Sequence, residues 1–269
     1  MKKGFFVLFG TFVMFIMLSC SAKKKFYKLN DDEILNLIKV DSFASRISQI
    51  YNPNNEQISF EEESNYPFTN FFADYFYNDS RDSLIVKLRK KRIEDDEFIQ
   101  QMGFYSGYRN YVDTIYSKIV IDCSIVDSLL DKAIEADQDN RTGFTEYNKL
   151  IEVENQRLLI NILDQCGFPN SKSYKKESVV HAFIILLHSD YKIQKKYFND
   201  VVKAIEIVDL RKSDIAYLED KMLRALQRPQ KYGTQNSYDE NGNLILAPYD
   251  DFDKVNERRI ELGLPVLEK

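Results

Sequence analysis

The chain has no tryptophan and few of the residues that interrupt helices. Nine glycines and six prolines occur among 269 residues, whereas phenylalanine and tyrosine are abundant. Because glycine and proline are the strongest interrupters of regular structure, their scarcity favours helices. We therefore predict an all-α protein, a helical bundle with an irregular C-terminal tail packed on it.

The sequence also lacks the short motifs that mark common catalytic and cofactor sites. It has no G-x-S-x-G, phosphate loop, dinucleotide fingerprint, H-E-x-x-H, calcium loop or C-x-x-C. We therefore predict no metal site and no cofactor. A hydrolase remains possible, since two catalytic carboxylates need not be neighbours along the chain.

An excess of basic side chains is missing too. The chain has 42 acidic and 37 basic side chains, a formal net charge of −5. Proteins that bind nucleic acid normally present a basic face to the phosphates. The charge balance therefore argues against a nucleic-acid partner.

The first twenty residues have the pattern of a secretory signal. Lys2 and Lys3 precede an apolar run over residues 5–18, which is shorter than a membrane-spanning helix requires. Met17-Leu18-Ser19-Cys20 resembles the bacterial lipobox, in which cleavage leaves a lipidated cysteine. We expect residues 1–19 to be the signal peptide, Cys20 to carry the lipid anchor, and residues 20–30 to be a tether.

The expected location is the bacterial cell envelope, with the membrane as a partner through the lipid anchor. Ser21 replaces the aspartate that resembles an inner-membrane retention signal. This difference favours the outer membrane, with the protein facing the periplasm. Two acyl chains or more hold a protein on a membrane stably, so no transmembrane helix is needed.

Two further cysteines, Cys123 and Cys166, leave two alternatives open. In an oxidising compartment they could form a disulfide. Both lie in apolar helical patterns, however, and buried free thiols are common there. The pattern favours free thiols, and the sequence does not decide whether they pair.

The hydrophobic pattern predicts two helical regions after the tether. In the N-terminal region, residues 31–126, we predict a helix that runs through Ile34 to Ile50, a core-facing aromatic helix over Tyr66–Tyr77 and a solvated charged helix over Ser83–Gln101. In the C-terminal domain, residues 127–269, consecutive helices separated by short links suggest antiparallel packing. These helices cover residues 146–165, 174–188, 191–210 and 213–226, followed by a hairpin at Asn241-Gly242 and a short helix at 255–262.

The two histidines of the chain, His181 and His188, lie seven residues apart in one predicted helix. Seven residues rise about 10.5 Å along a helix, so the two rings are poorly placed to share a metal ion. His188 precedes Asp190 by two residues, which suggests an acid/base pair. The alternative is that Asp190 caps the next helix and His188 packs the turn. His181 is expected to be a core residue.

A series of polar motifs follows in a fixed order along the C-terminal half. They are Asp137-Gln138-x-x-Arg141, Asn155, Gly167-Phe168-Pro169, His188-x-Asp190 with Gln194, Ala216-Tyr217-Leu218-x-Asp220-Lys221, Gln230-x-Tyr232-Gly233-Thr234-Gln235, and Arg258-Arg259 with Leu262-Gly263-Leu264-Pro265. Together they resemble a bacterial domain of unknown function over roughly Leu129 to Lys269. Lys221 stands where arginine is usual. The resemblance implies candidate residues but no reaction.

The polar residues of these motifs support two structural hypotheses. If the tail folds back over the bundle, they converge in a pocket that binds a small polar ligand or an envelope protein partner. Otherwise they form a buried hydrogen-bond network that fixes the tail. The ligand-binding candidates are Gln138, Arg141, Gln194, Asp220, Gln230, Tyr232 and Gln235. The alternative function is an envelope hydrolase that uses His188 and Asp190 as its acid/base pair.

Overall fold

The computed structural model describes residues 25–67, 69–78, 80, 82–142, 146–207 and 209–268. The predicted signal peptide, Cys20 and the first part of the tether lie outside these residues. The strands are β1 Phe26–Lys28, β2 Ile47–Tyr51, β3 Gln57–Ile58, β4 Phe71–Asn78, β5 Leu84–Lys90, β6 Asn236–Tyr238 and β7 Leu244–Leu246. The helices are α1 Asp31–Lys39, α2 Phe60–Glu63, α3 Asp95–Gly107, α4 Val112–Ile115, α5 Val126–Arg141, α6 Lys149–Cys166, α7 Lys176–His188, α8 Tyr191–Glu206, α9 Lys212–Ala225 and α10 Phe252–Glu261.

The prediction of an all-α protein is wrong, because the N-terminal half contains a five-stranded mixed sheet. The strand order is β1-β4-β5-β2-β3. β2 pairs with β5 in parallel, and the other neighbours are antiparallel. β1 lies inside the segment that we predicted to be a tether.

The aromatic segment that we predicted as a core-facing helix forms β4 instead. Its residues alternate between the two faces of the sheet: Ala73, Tyr75 and Tyr77 are buried, whereas Asp74 and Phe76 are only partly so. Such alternation has the period of a strand, and aromatic residues fit a half-buried sheet surface. In so dense a run of apolar residues, the sequence pattern fits both a helix and a strand. The hydrogen bonds to β5 stabilise the strand.

Two other predicted helices of this region are also replaced. The segment 83–101 is β5 followed by the first half of α3, and Ile47 to Ile50 belong to β2 rather than to a helix that begins near Ile34. Leu84, Val86 and Leu88 are buried at alternate positions of β5. They pack with Ile34 and Leu35 of α1 into one apolar core.

The C-terminal half is the helical domain that the periodicity predicts. α5 to α9 surround a second apolar core, which includes the fully buried Leu130, Leu159, Ile162 and Leu186. Among the residues that the structure describes, no helix is long and apolar enough to cross a membrane.

Cys123 and Cys166 form a disulfide, against the free thiols that the sequence pattern favours. Cys123 lies in a short 3-10 turn before α5 and Cys166 ends α6, so the two Cα atoms are 5.7 Å apart. Both are at element ends rather than inside apolar helix faces, which explains why the pattern was misleading. The bond closes a loop over a separation of 43 residues.

Helix α3 connects the two halves through polar contacts. The Tyr191 hydroxyl donates a hydrogen bond to Glu97, and Lys195 forms an ion pair with the same carboxylate at 2.6 Å. Arg228, beyond α9, reaches Asp96 at 2.8 Å. The N-terminal sheet and the helical domain are therefore joined by α3, through these charged groups and through Phe104, which is buried in the second core.

Candidate functional site

The imidazole of His188, at the end of α7, pairs with a carboxylate from another helix. Its Nδ1 lies 2.7 Å from Oδ2 of Asp137 in α5. The Asp137 side chain is 3% exposed and that of His188 is 21% exposed. Because an ionised carboxylate only accepts hydrogen bonds, the proton of the neutral ring lies on Nδ1. Nε2 has no protein hydrogen-bond partner among the described residues, so it is available to a ligand.

Asp137 also accepts hydrogen bonds from two side chains of its own helix. Gln138 Nε2 donates at 2.9 Å, and Arg141 Nε donates at 3.0 Å. Burial alone raises the pKa of a carboxyl group, but the contacts with His188 and Arg141 outweigh it and lower the pKa of Asp137. Asp137 is therefore held as a carboxylate, which fixes the orientation of the imidazole.

Arg141 extends this cluster towards α6. Its Nη2 donates to Glu152 Oε1 at 2.9 Å, and the Tyr108 hydroxyl donates to the other oxygen of Glu152. Tyr147 is a second tyrosine beside Glu152. Burial and the negative charge of Glu152 raise the pKa of Tyr147 to about 12, so the Tyr147 hydroxyl is protonated at neutral pH. Arg141 thus bridges the carboxylates of Asp137 and Glu152, so its guanidinium group is already paired within the protein.

Lys221 of α9 is the cation in this cluster that lacks a partner. It is half-buried, and the structure shows no ion pair or hydrogen bond for its ammonium group within the described residues. Burial and the positive charge of Arg141 lower the pKa of Lys221, while Asp137 and Glu152 partly offset them. We refer to Asp137, Gln138, Arg141, Glu152, His188 and Lys221 as the His188 cluster.

Asp190 does not pair with His188. It is the N-cap of α8, where its side chain accepts a hydrogen bond from the Lys192 backbone, and its other oxygen accepts one from Gln100 of α3 at 2.8 Å. Burial raises the pKa of Asp190, partly offset by that contact with Gln100. The capping alternative is therefore correct for Asp190, and the carboxylate that pairs with His188 is that of Asp137.

The second group of candidates surrounds Asp220, which is fully buried in α9. Its two oxygens accept four hydrogen bonds, from the backbone of Lys231, Tyr232 and Thr234 and from the Thr234 hydroxyl. All four donors belong to the tail, so this carboxylate holds the Y-G-T-Q segment against the helix. A ligand would have to displace the chain itself to reach Asp220.

Gln230 fixes the same segment from inside the tail. Its Nε2 donates to the carbonyls of Gln235 and Ala247, and its Oε1 accepts from the Gln235 backbone at 2.6 Å. Arg259 of α10 donates to the Tyr232 carbonyl at 2.7 Å. We refer to Asp220, Gln230, Tyr232, Thr234 and Arg259 as the tail lock.

Gly233 lies at the centre of the tail lock, and two features of its position favour glycine. Its φ is +64°, a conformation that L side chains rarely adopt. A Cβ atom at this position would also lie 3.0 Å from a methyl group of Leu267. The Y-G-T-Q segment therefore packs tightly, with its glycine in a structural role.

The remaining two candidates lie at other places. Gln194 of α8 donates to the carbonyls of Leu187 and Ser189, so it closes the C-terminal end of α7 one residue from His188. The Gln235 side chain reaches the Tyr217 carbonyl of α9 at 3.4 Å. Neither forms a hydrogen bond with the His188 cluster among the described residues.

The structure thus separates the predicted site residues into two groups. It places Gln138, Arg141 and His188 together, and it engages Asp220, Gln230 and Tyr232 in holding the tail. Asp137, Glu152 and Lys221 are not among the site residues that the sequence predicts. Asp137 and Lys221 belong to the quoted motifs, which is the signal that could have indicated them. No cluster of three or more potential metal ligands occurs in the described part of the chain.

Both groups lie within the segment that identifies the chain. Residues 122–269 match the family of unknown function DUF6624. The match covers more than half of the chain, which therefore belongs to this family. No curated protein and no solved structure matches it.

Proposed function

We propose that the C-terminal domain binds a small polar ligand with an anionic group at the His188 cluster. The observation that carries this proposal is the Nε2 atom of His188, which has no protein partner among the described residues and is held in place by the buried carboxylate of Asp137. Lys221, whose ammonium group has no ion pair in the described part of the chain, interacts electrostatically with the same carboxylate. A buried carboxylate that fixes one nitrogen of a partly exposed imidazole orients the other nitrogen, and this arrangement is common where a histidine meets a ligand.

The charges of the cluster indicate which ligand fits. Arg141 contacts both Asp137 and Glu152, and the positive charges of Arg141 and Lys221 together balance these two carboxylates. Lys221 is the one of the two cations that makes no direct carboxylate contact among the described residues, so its ammonium group can bind an anion. In its neutral form the His188 ring presents Nε2 as an acceptor. A ligand that combines a carboxylate or phosphate with a nearby hydroxyl would satisfy both groups.

The two histidines offer a matched experiment, because both are on α7 and have similar exposure. His181 Nδ1 lies 3.1 Å from Asp131 without the alignment of a hydrogen bond, and its side chain is 24% exposed. Their Cε1–H resonances give two NMR signals, which a His181→Gln variant assigns. We would titrate the protein with inorganic phosphate, acetate and neutral N-acetylglucosamine.

The expected result is a saturable shift of the His188 signal with the two anions, while the His181 signal stays in place. The Lys221→Met variant should weaken this response. Equal responses of the two histidines, or a linear dependence on concentration, would indicate general ionic effects and would contradict the proposal.

A hydrolase is the second candidate, and the His188–Asp137 pair is the observation that favours it. A carboxylate that fixes Nδ1 leaves Nε2 to take a proton from water, so that hydroxide can attack an ester or amide carbonyl. A panel of chromogenic esters and amides tests this function. Turnover by the wild type that His188→Gln abolishes would support it, and equal rates in the two proteins would exclude it for those substrates.

We further propose that the protein is a lipoprotein of the outer membrane that faces the periplasm. The lipobox at Met17–Cys20 supports this location. The Cys123–Cys166 disulfide supports it independently, because disulfides persist mainly in oxidising compartments. Cells that express the chain should incorporate an alkyne-labelled fatty acid into it, and Cys20→Ser should abolish the label. Incorporation that survives this substitution would contradict anchoring at Cys20.

A further inference from the structure

One face of the N-terminal sheet carries a trough that the fold leaves open. The trough has a volume of about 380 Å³ and is lined by Phe26, Tyr51, Asn55, Phe76, Ile85 and Lys87. These residues come from β1, β4, β5, β2 and the turn after β2, so the trough crosses four adjacent strands. We call it the Lys87 trough.

Strand alternation places the Lys87 trough opposite the N-terminal core. Tyr75 and Val86 are paired across β4 and β5, and both pack in the core with Ile34 of α1. Phe76 and Lys87 are the next residues of these strands, so their side chains leave the opposite face.

The chemistry of the Lys87 trough is that of a membrane interface. The Lys87 ammonium lies 5.5 Å from the Phe76 ring centre and 6.0 Å from that of Tyr51. Lys87 forms no ion pair among the described residues, and Phe26 at the rim is 38% exposed. Aromatic rings and lysines are the residues that anchor proteins at headgroup level, and a lysine there attracts anionic phospholipids.

The short connection to Cys20 keeps this face near the bilayer. Five residues separate Cys20 from Phe26, and they include Lys23, Lys24 and Lys25. An extended chain of this length spans about 20 Å. With an acylated Cys20 in the membrane, β1 and the trough beside it are confined to the surface, where the basic residues meet the lipid headgroups.

We infer that the sheet face with the Lys87 trough lies against the phospholipid surface, with Phe26, Tyr51 and Phe76 among the headgroups and Lys87 on their phosphates. This inference rests on the proposed anchoring at Cys20. It adds an orientation, in which the sheet faces the membrane and the α5–α9 domain is held on its far side through α3.

The absence of tryptophan makes the orientation measurable. Phe76→Trp places a single tryptophan in the trough, and Tyr238→Trp places one on β6, where Tyr238 is 74% exposed. The chain from Cys20 onward contains every described residue, and its other two cysteines are joined. Cys20 can therefore be coupled to a maleimide phospholipid in vesicles of phosphatidylglycerol and phosphatidylethanolamine, with and without brominated acyl chains.

The expected result is a blue shift and bromine quenching of the Phe76→Trp emission, with neither change for Tyr238→Trp. Lys87→Glu in the Phe76→Trp background should reduce the quenching, whereas Lys254→Glu, at an exposed position of α10, should not. Circular dichroism checks that each variant folds.

Two outcomes would overturn the inference. Equal quenching of the two tryptophans means that the anchored protein has no preferred face. An unquenched Phe76→Trp means that the trough faces water and is left for a glycan or a protein. Because the anchor is attached chemically, neither outcome depends on lipidation in cells, which the fatty-acid label at Cys20 tests separately.

Discussion

Two buried aspartates of the helical domain, Asp137 and Asp220, accept hydrogen bonds from different kinds of donor. Asp220 accepts all four of its hydrogen bonds from the tail, and three of these donors are backbone amides. Asp137 accepts from three side chains, those of His188, Gln138 and Arg141. One carboxylate binds the chain, and the other orients functional groups.

The kind of donor is our reason for proposing a ligand site at Asp137 and not at Asp220. Backbone amides cannot leave Asp220 unless the tail unfolds, so that cluster contributes to stability. The imidazole and guanidinium on Asp137 keep other atoms free, and Nε2 of His188 is one of them. Conformational rigidity supplied by a buried carboxylate is the usual support for a binding or catalytic group. Substitutions in the tail lock should therefore mainly lower stability, whereas substitutions in the His188 cluster should mainly weaken ligand binding.

The largest effect on stability is expected from Asp220→Ala. It leaves buried tail amides without an acceptor, which should lower the free energy of unfolding by about 3 kcal/mol. Denaturant unfolding at neutral pH measures the loss. Asp239→Ala is the control: Asp239 also accepts backbone amides, from Asn241 and Asn243, but in an exposed hairpin where water replaces it. Equal losses in the two variants would contradict the tail lock.

Asp137→Asn should cost less stability but change the site more. The amide keeps the shape and one acceptor, so we expect a loss of about 1 kcal/mol. The tautomer and orientation of His188 are no longer fixed, and the NMR response of His188 to phosphate should weaken. If Asp220→Asn weakened that response equally, the two clusters would not be functionally separate.

The pH dependence of stability gives an independent measure of Asp137. Its pKa is lowered in the folded protein, although burial opposes this, by His188 and Arg141. A carboxyl with a depressed folded pKa stabilises the fold above its unfolded pKa of about 3.9, and this contribution is lost as the pH falls through the folded pKa. The difference in unfolding free energy between wild type and Asp137→Asn should therefore shrink below about pH 4. A constant difference would show that the pairing is not electrostatic.

The sequence predicted the helical half much better than the sheet. Leu158, Leu159, Ile162 and Leu163 recur at helical intervals over a long segment, and α6 is found there. The segment from Phe71 to Tyr77 is apolar at nearly every position, so its period is ambiguous. The segment is a strand because it pairs with β1 and β5. These partners are distant in sequence, so the pattern of the segment alone does not predict them.

The site was harder to predict because its main contact joins distant residues. His188 and Asp137 are 51 positions apart, whereas Asp190 is near in sequence and has the right chemistry. The N-cap position of Asp190 was nevertheless readable, since aspartate before a helical pattern is a typical cap. Gln230 and Asp220 are also polar residues of the family motifs. Only the hydrogen bonds of the tail distinguish their role from that of Arg141.

A smaller effect on stability is expected from His188→Gln. The amide can still donate to Asp137, and the ring is partly exposed, so the free energy of unfolding should change by less than about 1 kcal/mol. Phosphate binding should weaken, because glutamine does not reproduce the acceptor Nε2 that would meet the ligand hydroxyl; calorimetry measures this binding, since the variant lacks the His188 signal. His181→Gln on the same helix is the matched control and should retain binding. A large loss of stability with His188→Gln would show that the His188–Asp137 pair, like Asp220, mainly stabilises the fold.

The smallest effect on stability, and the sharpest test of the comparison, is expected from Lys221→Met. Burial and the charge of Arg141 already disfavour the Lys221 ammonium, and the described residues offer it no ion pair. Removing this charge while keeping the aliphatic stem should leave stability unchanged or raise it by up to about 1 kcal/mol. Phosphate affinity should fall at the same time, measured by titration of the His188 signal. A residue whose removal stabilises the fold and weakens binding is retained for the ligand, whereas a fall in stability with unchanged affinity would make Lys221 part of the scaffold.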